Sequence, residues 1–469
     1  MAKTPTRIAG VSPVVATILL IAVAVVAVGV VAAFVATPGT TTTTTTTTSS
    51  TTTTTTTTPS GPVTSDLRTQ GEMYPIDLAT CNPTFSWTYS SNNGDNQSNY
   101  EIWVGTSSGD NSIWASGQVA SSETSAVYGG DNLSARVTYY IQVRTKDGHE
   151  WSFWAAGTFR IDPNPQYVCA FFYPWYGKNS RYGHWSEANH NPPDTWAANY
   201  LPDPIPGSFD PANELYSSDN ENIILWQLGS MKRAGIMVAI SSWWEGSYSD
   251  QVFSEIITDV MARPENPYPG LKWAIYYEGE GYGNPSVDNI CADLSYIDNN
   301  YGSSPYYFKI DGKIVVFVYG DASDGAAYAQ RWDNVRSRLG NVYVVLKVFG
   351  GYLNYASCAD SWHQYAPDKD YEAQAPYSAF VSPGFWKYDE GFQRLPRNLS
   401  EFESAVQTLM NSGYKFLLIQ TWNEWHEGTQ IEPGQLINHD DSSPPFTEAE
   451  NSYGYDYIDI LAKYTNPQS

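Results

Sequence analysis

Glu424 and Glu427 stand three positions apart in the run Asn423-Glu424-Trp425-His426-Glu427-Gly428-Thr429-Gln430-Ile431-Glu432, directly after residues 414–420 (YKFLLIQ). The heptapeptide has the short apolar texture of a buried strand. Beyond it come two carboxylates, an imidazole, an amide and the indoles of Trp422 and Trp425, a set better suited to chemistry than to packing. Two carboxyl groups in one cleft can act as proton donor and acceptor, the pairing that hydrolysis of a glycosidic bond requires. An isolated E-x-x-E is ordinarily a solvated or ion-paired loop. The preceding strand and the flanking aromatics favour the chemical reading here.

The elements that must position this pair begin after Asp162-Pro163-Asn164-Pro165. Strands are predicted at 167–173, 237–242, 271–277, 313–319, 342–347 and 415–420, with helices at 222–234 and 249–262. Strand–helix alternation over some three hundred residues predicts an α/β fold, a TIM-type barrel and not an open sheet. Catalysis in such a barrel sits where the strands end. The first run delivers Tyr173, Trp175 and Tyr176, with His184 beyond. The second delivers Trp243, Trp244 and Glu245, the third Glu278 and Glu280, the fourth Tyr319 and Asp321. The last delivers Asn423, Glu424, Trp425, His426 and Glu427.

Rings that stack on sugars and carboxylates that move protons outline a carbohydrate site. Glu424 and Glu427 are its expected catalytic pair, with Tyr173, Trp175, Tyr176, Trp243, Trp244, Glu278, Asn423, Trp425 and His426 against the substrate. Tyr173 or Trp243 could equally cap the barrel core, and Glu278 could be an ion-pair partner. Six scattered histidines without H-x-x-x-H spacing predict no metal site. No G-x-S-x-G elbow follows a strand of the barrel region. No glycine-rich nucleotide fingerprint succeeds a strand, so no cofactor is expected.

With 25 Lys+Arg against 49 Asp+Glu, the chain carries a formal charge of −24 and should not seek nucleic acid or anionic membrane surfaces by electrostatics. Charged residues make up only 16%, so the surface is largely neutral and polar, as on secreted proteins. Cys81, Cys169, Cys291 and Cys358 have no metal-finger spacing. Cys169 sits in an apolar run and is predicted to be a buried small hydrophobe, and Cys291 with Cys358 could pair outside a cell.

Composition divides the chain into four regions: 1–38 a membrane anchor or pilin-like signal segment, 39–66 a Thr/Ser-rich linker, 67–163 a β-sandwich, and 164–469 the barrel. Residues 14–36 are apolar except for Thr17 and Gly29, long enough to span a bilayer. Lys3 and Arg7 precede them and no charge comes after until Asp66, which predicts a cytoplasmic N-terminus and an external remainder. Residues 7–18 (RIAGVSPVVATI) resemble the N-terminus of archaeal type IV pilins, which implies processing after Gly10. The threonine tract has nothing to bury and suits an O-glycosylated stalk. Asn96, Asn132 and Asn398 are sequons compatible with exposure outside the cell. Between 67 and 163, period-two patterns such as Phe85/Trp87/Tyr89 and Tyr139/Ile141/Val143 resemble a fibronectin type III-like domain.

Phe172-Tyr173-Pro174-Trp175-Tyr176-Gly177, Tyr216-Ser217-Ser218, Ala234-Gly235-Ile236, Ser242-Trp243-Trp244 and above all residues 423–432 resemble, in order, glycoside hydrolase family 99, the endo-α-mannosidases and endo-α-mannanases. The resemblance implies a (β/α)8 barrel and a retaining cleavage of an internal α-mannosidic bond. In that reaction the substrate's own 2-hydroxyl attacks the anomeric carbon and forms a 1,2-anhydro sugar. It also implies Glu424 as the base on that hydroxyl and Glu427 as general acid on the leaving oxygen, then base toward water. Glu278 and Trp243 would meet the sugar.

Two features depart from the family: Tyr276-Tyr277-Glu278-Gly279-Glu280 where I-E-P-Y is common, and Trp422 before Asn423, both at the expected substrate surface. The expectation is a membrane-anchored, externally displayed hydrolase of α-linked polysaccharide or glycan. The alternatives are a glycan-binding adhesin or pilus-like subunit that does not cut, and a related barrel hydrolase acting on α-glucan.

Overall fold

Residues 61–177, 184, 216–320, 323, 325–387, 390, 392–433 and 453–465 are described by the computed structural model. The expected anchor and the threonine tract lie outside them, as does Asp321. Among the described residues no helix is long and apolar enough to cross a membrane.

The first strand, Val63–Thr69, begins inside the stretch expected to be linker. Its inward residues include Thr64, whose hydroxyl bonds Thr145 and Ser152 at 2.7 Å each. A polar residue in the core carries no hydrophobic signal, so the linker boundary set at 66 lies too far along the chain. Val63–Thr69, Thr84–Ser90 and Ser125–Val127 form one antiparallel sheet. Asn99–Gly105, Thr138–Lys146 and Ala155–Arg160, with two short edge strands, form the other. Alternation along Thr138–Lys146 buries Tyr139, Ile141 and Val143 against Phe85, Ile102 and Val104. Tyr139 Oη accepts the Ser134 N–H at 2.8 Å, the corner bond that immunoglobulin-type sandwiches use to pin a strand start.

Eight parallel strands then build the barrel: β1 Tyr167–Phe172, β2 Val238–Trp243, β3 Lys272–Tyr277, β4 Lys313–Val318, β5 Val342–Lys347, β6 Ser361–His363, β7 Ser378–Val381 and β8 Phe416–Ile419. They pair in the order β6-β5-β4-β3-β2-β1-β8-β7. β1, β2 and β3 are buried along their whole length, as parallel strands covered on both faces must be.

Helices α1 Glu221–Ala234, α2 Tyr248–Thr258, α3 Val287–Ile297, α4 Gly325–Leu339, α5 Leu399–Met410 and α6 Asp456–Thr465 cover the outside. Asn220 caps α1 by accepting the Asn222 and Ile223 N–H groups, and Gly235 closes it at φ 70°, where a side chain would be strained. Among the described residues the helical ring is incomplete. A 3-10 segment, Tyr352–Cys358, comes after β5, and an antiparallel strand, Tyr371–Gln374, fills the connection after β6. All four cysteines are free, with Cys169 fully buried, so Cys291 and Cys358 do not pair.

Candidate active site

β8 ends at Ile419 and the chain folds into a loop that bonds to itself. Thr421 N–H donates to Thr429 O at 2.8 Å, Ile431 N–H to Thr421 O at 3.0 Å, and Glu432 N–H to Trp422 O at 2.8 Å. Arg397 donates to the carbonyls of Gly428 at 3.0 Å and Gln430 at 2.7 Å. Within this frame Trp425–Glu427 makes one 3-10 turn, closed by Gly428 at φ 60°. That turn puts Glu424 at its start and Glu427 at its end. The spacing seen in the sequence thus becomes two carboxylates on one short rigid element.

Asn423 and Glu432 fasten the loop to the rest of the barrel. Asn423 Oδ1 accepts the Tyr173 N–H at 2.7 Å, and its Nδ2 donates to Tyr173 O at 3.0 Å and Tyr216 Oη at 3.2 Å. Glu432 accepts from Gln227 Nε2 at 2.7 Å, Tyr216 Oη at 2.9 Å and Trp425 Nε1 at 2.8 Å. Burial pushes the Glu432 carboxyl up to about 7 against these three donors. Asn423 and Trp425, expected against substrate, are instead fully engaged inside the protein. Trp422, expected at the substrate surface, is completely buried.

The glutamate pair is itself held by neighbours. Glu424 accepts the His426 N–H at 3.2 Å and lies 3.5 Å from Tyr176 Oη. Tyr176 Oη in turn accepts the Trp425 N–H at 3.0 Å. Glu427 accepts the Tyr365 hydroxyl at 2.6 Å. Burial raises its pKa, while Tyr365 and the positive Lys387, Lys347 and Arg394 oppose the rise. Burial likewise raises Glu278 to about 8. The Ser242 hydroxyl and Lys347 pull it down and the charge on Glu427 adds to the rise. At neutral pH Glu278 is therefore mostly a neutral acid, able to donate a hydrogen bond.

The Tyr173 phenol ties the three together: burial first, then the charges of Glu278, Glu427 and Glu424 hold its pKa far above the ordinary value. Three carboxyl groups, from the ends of β3 and β8, thus stand around one buried tyrosine, and the charge on Glu427 helps to raise Glu278.

The other expected residues divide. Trp175 is half-buried between the rings of Tyr173, 4.6 Å away, and His184, 3.9 Å away. The His426 ring lies parallel to Tyr176 at 6.3 Å. Trp243 turns the other way. Its indole donates to Asp250 on α2 at 2.7 Å and its ring runs parallel to Tyr277 at 6.0 Å. Successive strand residues point to opposite faces, so Ser242 meets Glu278 and Trp243 meets the helices. Glu280, in the helical turn Gly279–Gly283 beyond β3, is bonded instead to Arg331 and to Trp332 Nε1 at 2.8 Å. Trp244 stands half-buried at the rim, 5.2 Å from the Tyr282 ring.

Tyr365, His363 and Lys347 join the site without having been foreseen, beside Tyr276, which lay in the stretch expected at the substrate surface. Tyr276 Oη meets His363 Nε2 at 3.4 Å, and burial with Lys347 nearby lowers His363 to about 3, keeping it neutral. Tyr365 lies just past β6, only three residues long, which leaves no periodicity to detect. The one signal is compositional: Trp362-His363-Gln364-Tyr365 has the aromatic–polar texture of the other strand ends.

A barrel with buried carboxyl groups gathered beyond the C-terminal ends of its strands and walled by tyrosines has the form of a glycoside hydrolase. Residues 163–366 match the model of glycosyl hydrolase family 99, and residues 64–161 match a Rha78A-like, N-terminal immunoglobulin domain. The chain thus carries a barrel similar to glycosyl hydrolase family 99 behind an immunoglobulin-like domain, where the sequence suggested a fibronectin type III-like one. The family match spans Tyr173, Glu278 and Tyr365 and stops short of Glu424.

Similarity to whole relatives runs further. The chain is 24% identical over 328 residues to a glycoprotein endo-alpha-1,2-mannosidase of Rattus norvegicus, covering 58% of this chain and 69% of that one. It is 23% identical over 331 residues to the Xenopus laevis protein of that name, covering 58% and 70%. The fold is similar to that of the GH99 endo-alpha-mannosidase from Bacteroides thetaiotaomicron, with a TM-score of 0.50 at 18% identity, covering 64% of this chain and 97% of that one.

Proposed function

We propose that the chain is an endo-acting α-mannosidase-like hydrolase that cleaves α-linked mannose polymers or glycans with retention, through a 1,2-anhydro sugar. Glu424 takes the proton of the 2-hydroxyl as that oxygen attacks the anomeric carbon. Glu427 gives its proton to the leaving oxygen, then takes one from the water that opens the anhydro ring. Glu278 binds sugar hydroxyls as a neutral acid, with Tyr173, Trp175 and Trp244 along the substrate. The single observation that carries this reading is the placing of Glu424 and Glu427 at the two ends of one 3-10 turn beyond β8, with Tyr176 beside the first and Tyr365 bonded to the second. The apolar run 14–36 anchors the chain in a membrane, and the threonine tract holds the two domains outside.

Digestion of α-mannans and α-glucans by the full chain tests the substrate class. Oligosaccharides released from mannan alone support the reading, and release from glucan alone overturns it.

Tyr365 tunes the acid. Its hydroxyl stabilises ionised Glu427, so Tyr365→Phe removes a downward pull on a pKa that burial already raises. Glu427 must be protonated to act as the acid, and the alkaline limb of kcat/KM reports such a group in the free enzyme. That limb is expected to move to higher pH in Tyr365→Phe. An unmoved or acid-shifted limb in a folded variant contradicts the assignment.

A further inference from the structure

A cavity of about 990 Å³ lies away from the glutamates, between the sandwich and the N-terminal ends of the barrel strands. Val168, Met237 and Gly270 form its floor, at or just before the starts of β1, β2 and β3. Its size is at the upper end of the roughly 300–1,000 Å³ typical of ligand pockets. The surrounding seam is bonded. Tyr167 Oη donates to Asp77 at 2.7 Å, Lys272 Nζ donates to Met73 O at 3.2 Å, and Tyr74 stacks on Tyr306 at 5.9 Å. The space is therefore enclosed by an interface that packs well elsewhere.

Its charge runs against that of the whole protein. In a chain with 49 acidic and 25 basic residues, the lining holds Arg136, Arg160, Lys232 and Arg263 against Asp162 alone. Arg263 is neutralised by Glu221 and Asp259. Arg160 Nε and Asp162 Oδ2 are 3.9 Å apart, and neither has a hydrogen-bond partner although both are buried. Asp162 is only 2% exposed. Lys232 donates to Pro267 O at 3.0 Å and lies 5.7 Å from the Tyr140 ring. Neither it nor Arg136 forms an ion pair among the described residues. Two cations, one from each domain, thus face a cavity with aromatic walls and unused buried polar atoms.

We propose that this seam is a second saccharide-binding site, separate from the glutamate cleft, that takes an acidic sugar unit. Arg136 and Lys232 meet its anionic substituent, Asp162 and Arg160 meet its hydroxyls, and Tyr140 lies against its ring. The site works as an anchor for an acidic glycan and leaves the hydrolytic chemistry to the other end of the barrel.

Calorimetric titration of the full chain with tetragalacturonate, and with mannotetraose as the neutral control, tests this. Both are run on the Glu427→Gln chain, so that turnover does not interfere. Tetragalacturonate is expected to bind, and Arg136→Gln with Lys232→Gln to weaken it about tenfold or more, as loss of charge-assisted bonds should. Mannotetraose is expected to bind the two chains alike, and unchanged melting shows that the double variant folds. No tetragalacturonate binding at millimolar concentration, equal affinity after the double substitution, or a matching loss for mannotetraose overturns the proposal. Alpha-mannan turnover of the otherwise wild-type double variant is a separate reading, so either idea can fail alone.

Discussion

Glu427→Gln is expected to lower kcat on an α-mannan substrate by about 10²–10⁴-fold, the usual worth of a positioned general acid–base group. The amide keeps the size of the carboxyl and can still accept the Tyr365 hydroxyl, now 2.6 Å from Glu427. Loss of rate then reports loss of the proton and not of the fold. The raised pKa of Glu427 suits it to the role, since burial favours its protonated form. An aryl mannoside with an acidic phenol needs no protonation as it leaves, so kcat/KM on that substrate, which reports the first step alone, should fall far less. Steady-state rates on both substrates check this. Near-wild-type turnover on the glycan, or equal losses on the two, would remove Glu427 from the acid position.

Glu424→Gln is expected to cost a comparable factor, about 10²–10⁴-fold, but on both substrates alike. Its proposed work is to draw the proton from the attacking 2-hydroxyl, which is needed whatever leaves. The amide oxygen can still accept the His426 N–H that Glu424 now accepts at 3.2 Å, so the 3-10 turn should persist. Melting curves identify any unfolding. Near-complete rescue of the variant by the activated aryl substrate would contradict the base assignment and exchange the two roles.

Much of this was legible in the sequence, for physical reasons that can be named. Long buried strands announce themselves: the predicted 342–347 coincides with β5, and five others fall within a residue or two of their observed ends. β6 and β7 did not, because three or four residues carry no period. Tyr365 was lost with β6.

Composition at a strand end found Glu278 but could not say which neighbour faces the lumen. Trp243 therefore looked like a sugar contact until its indole was seen on Asp250. Within the decapeptide the carboxylates were legible as a pair. Asn423, Trp425 and Glu432 acquire meaning only through partners more than two hundred positions away, such as Tyr216 and Gln227, along with the short Trp425–Glu432 contact inside the loop.

The most direct measurement is the anomeric configuration of the first product, read by proton NMR as the full chain digests an α-mannan. Opening of a 1,2-anhydro sugar by water is the second of two inversions, so the account predicts an α-configured mannose end appearing first and mutarotating later. A β-configured end appearing first, or no oligosaccharide released at all, would contradict it.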